Sequence, residues 1–344
     1  MPPRHSLING VHLFVYASSA NCDNKMKAIV YHKYGTPDVL ELMEVDKPVP
    51  GDDEVLVKVH AVSINDWDWG LLQGDFINRL MYGLWKPKKQ ILGSDIAGRI
   101  EAAGKNVTKF KDGDEVFGDL SGKWGGFAEY VCASEKMLAL KSSKMTFEQA
   151  AAIPQAAMLA VQGLIDKAKI QQGQKILLNG AGGGVGTFAI QIAKIYNSEI
   201  TAVDSEQKLN MLHSLGADHV IDYRKEDFTK NGKQYDIILD VKSNRSVFNI
   251  ARALNTNGIY VTVGGSMGRL FQALFFGPFI SMISKKNIRI VMLKPNKDLV
   301  YMNELFESGK MKPVIDGPYK LEEVPEAFRL FNKGDHKGKV VITI

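Results

Sequence analysis

One segment restricts the fold of this 344-residue chain more than any other. Lys175-Ile176-Leu177-Leu178-Asn179 reads as a buried strand, Gly180 to Gly186 as a glycine-rich turn, and Thr187 to Ile195 as a helix. Ala181, Gly183 and Gly186 occupy the three positions of an A-x-G-x-x-G pattern, with Gly182, Gly184 and Val185 between them. In such a turn the middle glycine lets the backbone approach a pyrophosphate and the last permits close packing of helix on strand. The helix N-terminus offers free N–H groups and a partial positive charge to the phosphates. A second strand-like run, Ile200 to Val203, ends on Asp204, 18 residues past Gly186, where a carboxylate accepts hydrogen bonds from an adenosine ribose and favours NAD(H). Ser205 and Lys208 follow at once, and a hydroxyl and an ammonium there suit the 2′-phosphate of NADP(H). The expected cofactor is therefore NADP(H) or NAD(H), with the balance leaning to NADP(H), and Tyr223 is a further candidate contact.

Around this fingerprint the chain divides by pattern. From Phe147 to Arg289 strand-like runs alternate with helical stretches, the mark of a doubly wound parallel sheet. From Met26 to about Lys144 short alternating strands are separated by turns, as in Glu54 to His60 with turns at Gly51-Asp52 and Gly113-Asp114. After Ile290 mixed β elements return and end on Lys339 to Ile344. The expected architecture is α/β: a Rossmann domain, 151–289, inserted into a discontinuous β-rich domain made of 26–150 and 290–344. Residues 1–25 read as an N-terminal extension; the apolar run Val11 to Ala17 is short and no A-x-A-like site follows it, so the expected location is the cytoplasm. Leu270 to Ser284 carries no charge, yet it is shorter than the about 20 residues a membrane span needs. Gly277-Pro278 is expected to split it into two pieces that serve as a pocket lid or subunit contact.

Composition removes other classes. A net charge of +5 without a block of like charge gives no footprint for nucleic acid or membrane. Cys22 and Cys132 make at most one bridge, which excludes a disulfide scaffold and a four-cysteine zinc lobe. The seven histidines are scattered without metal-binding spacing.

Further segments, taken in order, resemble the medium-chain dehydrogenase/reductase superfamily in its zinc-independent quinone oxidoreductase, or zeta-crystallin-like, branch. They are Met26-Lys27-Ala28, Tyr34-Gly35, Val39-Leu40, Val62 to Asp68, Leu92 to Gly98, Phe110 to Val116, Gly126 to Tyr130, Ala181 to Gly186, Leu215 to Asp218 and Gly338 to Val341. The resemblance spans nearly all of 26–344 and implies a GroES-like β-rich catalytic domain and a homodimer. Where zinc-dependent relatives carry Cys, His and Cys ligands, the matching positions here are Asn65, Ser94 and, less securely, Gln155, none of them a good zinc ligand.

Without a Lewis acid to polarise a carbonyl, a substrate with built-in electron demand is favoured: a quinone or an α,β-unsaturated carbonyl. The expected reaction is hydride transfer from the nicotinamide to such a small-molecule acceptor. Asn65, where the zinc-free branch carries an Asn near the nicotinamide, is the candidate donor to the developing oxyanion; its other reading is a loop-stabilising residue. Trp67, Trp69 and Trp85 fall within 19 residues, together with Tyr82, and are candidate substrate walls, as are Phe275 and Phe276. Asp240-Val241 and Gly264-Gly265 end successive strands on the cofactor side, and Lys339 joins them as a cofactor candidate. The competing reading is a cofactor-binding structural or partner-binding protein with little turnover. An acyl-thioester enoyl reductase would need a basic carrier groove, and none is evident.

Overall fold

The computed structural model describes residues 24–344. The expectations for Cys22, His5, His12 and the extension before Asn24 lie outside the described residues. Six parallel strands form one sheet in the spatial order His219–Asp222, Glu199–Asp204, Lys175–Asn179, Tyr235–Asp240, Leu254–Thr262, Asn287–Ile290. Their central runs are apolar because both faces are covered: Ile176, Leu177, Ile237, Ile238 and Leu239 are completely buried. Chain order reverses at Lys175–Asn179, which has the second strand on one side and the fourth on the other. At such a switch point the connections diverge and leave a crevice beyond the strands' C-terminal ends, where the glycine turn sits.

The second sheet has seven strands drawn from both ends of the described chain. Its axis is Glu54–Ser63, where Val55, Val57 and Val59 are buried. That strand pairs along its length with Asp95–Ala103 on one side. On the other, its first half pairs with Tyr130–Ser134 and its last residues with Lys339–Thr343, the final strand. Ile64 donates its N–H to Val340 O at 3.0 Å, so the end of this strand and the start of the last one lie side by side. The same last strand reaches the parallel-sheet domain: Gly338 donates its N–H to Gly182 O at 2.9 Å, and Gly183 and Gly338 form a β-bridge.

Two sequence expectations change. Asn287–Ile290, only four residues long and half-buried, completes the parallel sheet although its pattern did not mark it as a strand. The uncharged segment is one helix, Met267–Ser284, with Pro278 inside it. Proline in a helix interior costs about 3 kcal/mol. Here the buried Ala273, Gly277 and Ile280, spaced as one helix face, offset it, and the bare Gly277 lets the helix seat directly on Ile288. Among the described residues, no helix is long and apolar enough to cross a membrane.

Candidate active site

The glycine turn and the end of strand Glu54–Ser63 face each other across a cleft of about 220 Å³. Asn65, Asp66 and Trp69 line one side; Gly180, Gly183, Gly184, Val185, Val241 and Lys242 line the other; Phe331, Asn332, Gly334, His336, Gly338 and Lys339 close the end. Two of the fingerprint glycines differ in the room around them. A Cβ on Gly186 would stand 2.4 Å from Ala181 Cα, so this glycine lets helix Gly184–Ile195 lie against the turn. A Cβ on Gly183 would meet only Gly180 O at 3.9 Å and project into free space, so this glycine keeps room for a ligand. The first N–H groups of the helix have no intrahelical acceptor and are available to an anion. A dinucleotide's phosphates fit this cradle.

Next to it, Asp204 turns back toward the turn. Oδ2 accepts from Gly182 N–H and Oδ1 from Ser205 N–H, both at 2.8 Å. The Lys208 ammonium lies 3.6 Å from Oδ1 and donates to Gly334 O at 2.7 Å. Burial holds the Lys208 ammonium below its usual pKa range, an effect that Asp204 opposes. Tyr223 is half-exposed, with the Arg224 guanidinium 5.6 Å from its ring centre.

On the opposite side Asn65 precedes helix Asp66–Gln73, and its N–H donates to Asp68 Oδ2 at 2.9 Å. Asp68 Oδ1 accepts from Gly93 N–H at 2.9 Å, which ties the Asn65 loop to the Leu92–Asp95 segment. The Asn65 side chain is held at both ends: Nδ2 donates to Ser94 Oγ at 3.1 Å and Oδ1 accepts from Lys339 Nζ at 2.5 Å. One Nδ2 hydrogen remains for a ligand. Burial pushes the carboxyls of Asp68 and Asp95 up to about 7.

Several candidates are not in the cleft. Tyr82 packs edge-on against Trp124 with ring centres 5.0 Å apart, and Trp85 is 87% exposed. Trp67 is also exposed, so of the tryptophan group only Trp69 lines the cleft. Phe275 and Phe276 lie on the surface helix, stacked on Phe271 and against Phe248. Asp240 is fully buried with both oxygens engaged: Asn179, Lys242 N–H and Ser243 N–H donate to Oδ1 and the Tyr260 hydroxyl to Oδ2, so it fixes a turn and does not line the cleft. A Cβ on Gly264 would make only ordinary contact with Val241 O at 3.6 Å, so protein packing does not require glycine there, whereas Gly265 has a left-handed φ of 106°.

Residues 51–143 match the alcohol dehydrogenase GroES-like domain and residues 215–342 the zinc-binding dehydrogenase model. A 2-methylene-furan-3-one reductase of Solanum lycopersicum is 36% identical, over 95% of this chain and 81% of its own length. An NADPH-dependent alkenal/one oxidoreductase of Arabidopsis thaliana is 34% identical over 94% and 81%. The quinone oxidoreductase of Homo sapiens is 31% identical over 93% and 98%. Among solved structures, the quinone oxidoreductase of Coxiella burnetii superposes with a TM-score of 0.81 at 27% identity, covering 93% of this chain and 99% of that one. This chain belongs to the quinone oxidoreductase branch of the medium-chain dehydrogenase/reductase family.

Within that family the zinc positions have changed chemistry here. Asn65 and Ser94 are hydrogen-bonded to each other, and the Gln155 amide donates to Ser121 Oγ at 3.4 Å. Amide and hydroxyl groups so engaged do not fit a zinc ion, which takes thiolate, imidazole or carboxylate ligands. Among the described residues no three His, Cys, Asp or Glu side chains converge as metal ligands.

The sequence reading missed Lys242, Asn332 and His336, which line the cleft. Lys242 directly follows Asp240-Val241 and was within reach of the strand-end argument. His336 is buried and stacks on Phe331 with centres 4.9 Å apart, and its Nδ1 has no partner. Burial first, then the Lys208 and Lys242 charges, push its pKa down to about 4, so it stands neutral in a cationic corner. Its lone position in the sequence gave no sign of this.

Proposed function

We infer that this chain is an oxidoreductase that passes hydride from NAD(P)H to a quinone or an α,β-unsaturated carbonyl without zinc. The observation that carries the reading is the pairing of a dinucleotide cradle with an amide, Asn65, across one cleft, at the position where zinc-dependent relatives hold a metal ligand. When bound, the reduced nicotinamide supplies the hydride. The protein's part is to align the reactants and to stabilise charge. The free Nδ2 hydrogen of Asn65 donates to the acceptor's carbonyl oxygen as negative charge develops on it, and Trp69 and Leu159 give the cleft apolar wall. Such acceptors need less polarisation than a saturated ketone, which suits a hydrogen-bond donor in place of a metal.

NADP(H) is the proposed form. Asp204 is spent on Gly182 and Ser205 and matched by Lys208, so it presents no open carboxylate to repel a 2′-phosphate. Lys208 and Tyr223 are the residues proposed to bind that phosphate. The name of the Arabidopsis relative, NADPH-dependent, supports the same choice. Lys208→Met should raise the Kd for NADPH at least tenfold and leave NADH within about threefold, measured by quenching of tryptophan fluorescence. Equal losses for both cofactors would reject the 2′-phosphate assignment.

The test of the activity is oxidation of NADPH and NADH with a panel of 1,4-quinones, 2-alkenals and cyclic enones, with and without a chelator. Turnover unaffected by the chelator is expected. Tight cofactor binding with no acceptor reduced would instead favour a binding role, and metal-dependent turnover confined to saturated alcohols would overturn the reading. We propose further that the protein works as a homodimer, joined at the Asn287–Ile290 edge of the parallel sheet beside the exposed apolar helix.

A further inference from the structure

Lys339 stands in the cleft like a phosphate ligand, but its hydrogen-bonding capacity is already spent. An ammonium has three donors and no acceptor. In Lys339 they go to Ile64 O at 3.0 Å, Asn65 Oδ1 at 2.5 Å and Asp95 Oδ2 at 3.4 Å, and the residue is buried. None is left for a cofactor. Its aliphatic stem passes the glycine turn so closely that a Cβ on Gly184 would lie 2.6 Å from Lys339 Cδ. One side chain thus runs from the cofactor cradle to the amide facing it.

The two ends of an amide differ only in which group donates. A cation accepts no hydrogen bond, so the ammonium beside Asn65 can be satisfied only by Oδ1, and this fixes the amide's sense. Nδ2 must then point the other way, one hydrogen to Ser94 Oγ and the other free. Flipped, the same residue would present an oxygen to the acceptor's oxygen and oppose the charge that develops there. We propose that Lys339 is a positioning residue that locks Asn65 in its donating orientation and is not a ligand of the cofactor. Asp95 completes the device as the third acceptor of the Lys339 ammonium, with Oδ2 3.4 Å from Nζ. The proposal rests on the reading of Asn65 as the donor to the acceptor's oxygen.

Lys339→Met keeps the stem and removes the donors. Its expected signature is an NADPH Kd within about threefold of wild type by fluorescence quenching, with kcat reduced about ten- to a hundredfold and little change in the acceptor KM. Because Lys339 acts through Asn65, the loss should match that of Asn65→Ala, and the double variant should be no slower than either single one. A tenfold weaker Kd at unchanged kcat, or losses that multiply in the double variant, would overturn the proposal. Should Lys339→Met fail to fold, Lys339→Met/Asp95→Asn removes the unpaired carboxylate and carries the same tests. A signal outside catalysis separates this idea from the proposed activity. The Asn65 side-chain amide in a 15N spectrum of the cofactor-free protein, identified by its loss in Asn65→Ala, should shift in Lys339→Met. If no acceptor is reduced by the wild type, the proposed activity fails while this signal still decides: a shifted resonance supports the lock and an unmoved one refutes it.

Discussion

Three buried carboxyl groups, Asp68, Asp95 and Asp119, lie around one ammonium, that of Lys339, and burial raises all three above the usual carboxylate range. Their protonation makes stability depend on pH in a direction opposite to that of surface ion pairs. Folded Asp68 and Asp95 hold protons up to about pH 7, whereas in the unfolded chain they release them near 3.8, so this contribution falls as pH rises through 7. His336 works the other way: it stays neutral down to about 4 in the fold and gains a proton below 6.5 when unfolded, so its contribution grows between those values. The two partly cancel at acid pH, and above about pH 7 the carboxyl effect outweighs that of His336. Thermal scans should show the midpoint falling between pH 6.5 and 8, by roughly 1 kcal/mol of stability for each carboxyl. Asp95→Asn should make that decline shallower, and an unchanged slope would mean that Asp95 does not titrate there. None of this is legible in sequence. Asn65 and Ser94 were marked by position, but the contact that gives Asn65 its direction comes from Lys339, 274 residues away. The pairing of the last strand with Ala61 to Ile64 brings them together.

Strand, turn and helix at 175–195 were legible because their chemistry is local: apolar residues build the strand, and the turn's glycines answer to neighbours a few positions away. The structure adds the clearance at each glycine, and the two roles predict opposite outcomes. Gly186→Ala places a methyl 2.4 Å from Ala181 Cα and should destabilise the cofactor-free protein by about 1–3 kcal/mol, lowering its Tm by several degrees. Gly183→Ala places a methyl in open cleft, should leave that Tm within about a degree, and should weaken NADPH at least tenfold by blocking the pyrophosphate's approach. Paired measurements of Tm and Kd check both; a Gly183 variant that binds NADPH normally would show that the phosphates do not pass there. The helix Met267–Ser284 is the counterexample. Proline is a local signal for a break, and it was overridden by a non-local one, the seat of Ala273, Gly277 and Ile280 against strand Asn287–Ile290. That strand itself, Asn287-Ile288-Arg289-Ile290, alternates too briefly to be distinguished from a loop without its partner Leu254–Thr262.

For the molecule as a whole, the interleaving of β-rich and βα segments predicted two bodies, and the last strand turns out to stitch them: one end of Lys339–Thr343 is sheet partner to Glu54–Ser63, while Gly338 just before it bonds the glycine turn. Among the described residues the parallel sheet ends in two open edges, His219–Asp222 and Asn287–Ile290. Asn287–Ile290 has a neighbour on one side only, so its outer N–H and C=O groups are unpaired within the sheet. Beside it the helix exposes Phe271, Leu274, Phe275, Phe279, Met282 and Ile283, each at least half exposed, and clustered exposed apolar side chains mark interaction surfaces. A second copy placed about a two-fold axis there would extend the strands and bury both helices in one isologous contact. Light scattering after size exclusion should therefore give about twice the 38.1 kDa chain mass. Phe279→Asp/Ile283→Asp sets two like charges into that contact from each chain and should return the mass to one chain. The Kd for NADPH should hold within about threefold, since the cleft lining comes from other residues of the same chain. A wild type that runs as a monomer, or a double variant that stays dimeric, would place the contact elsewhere.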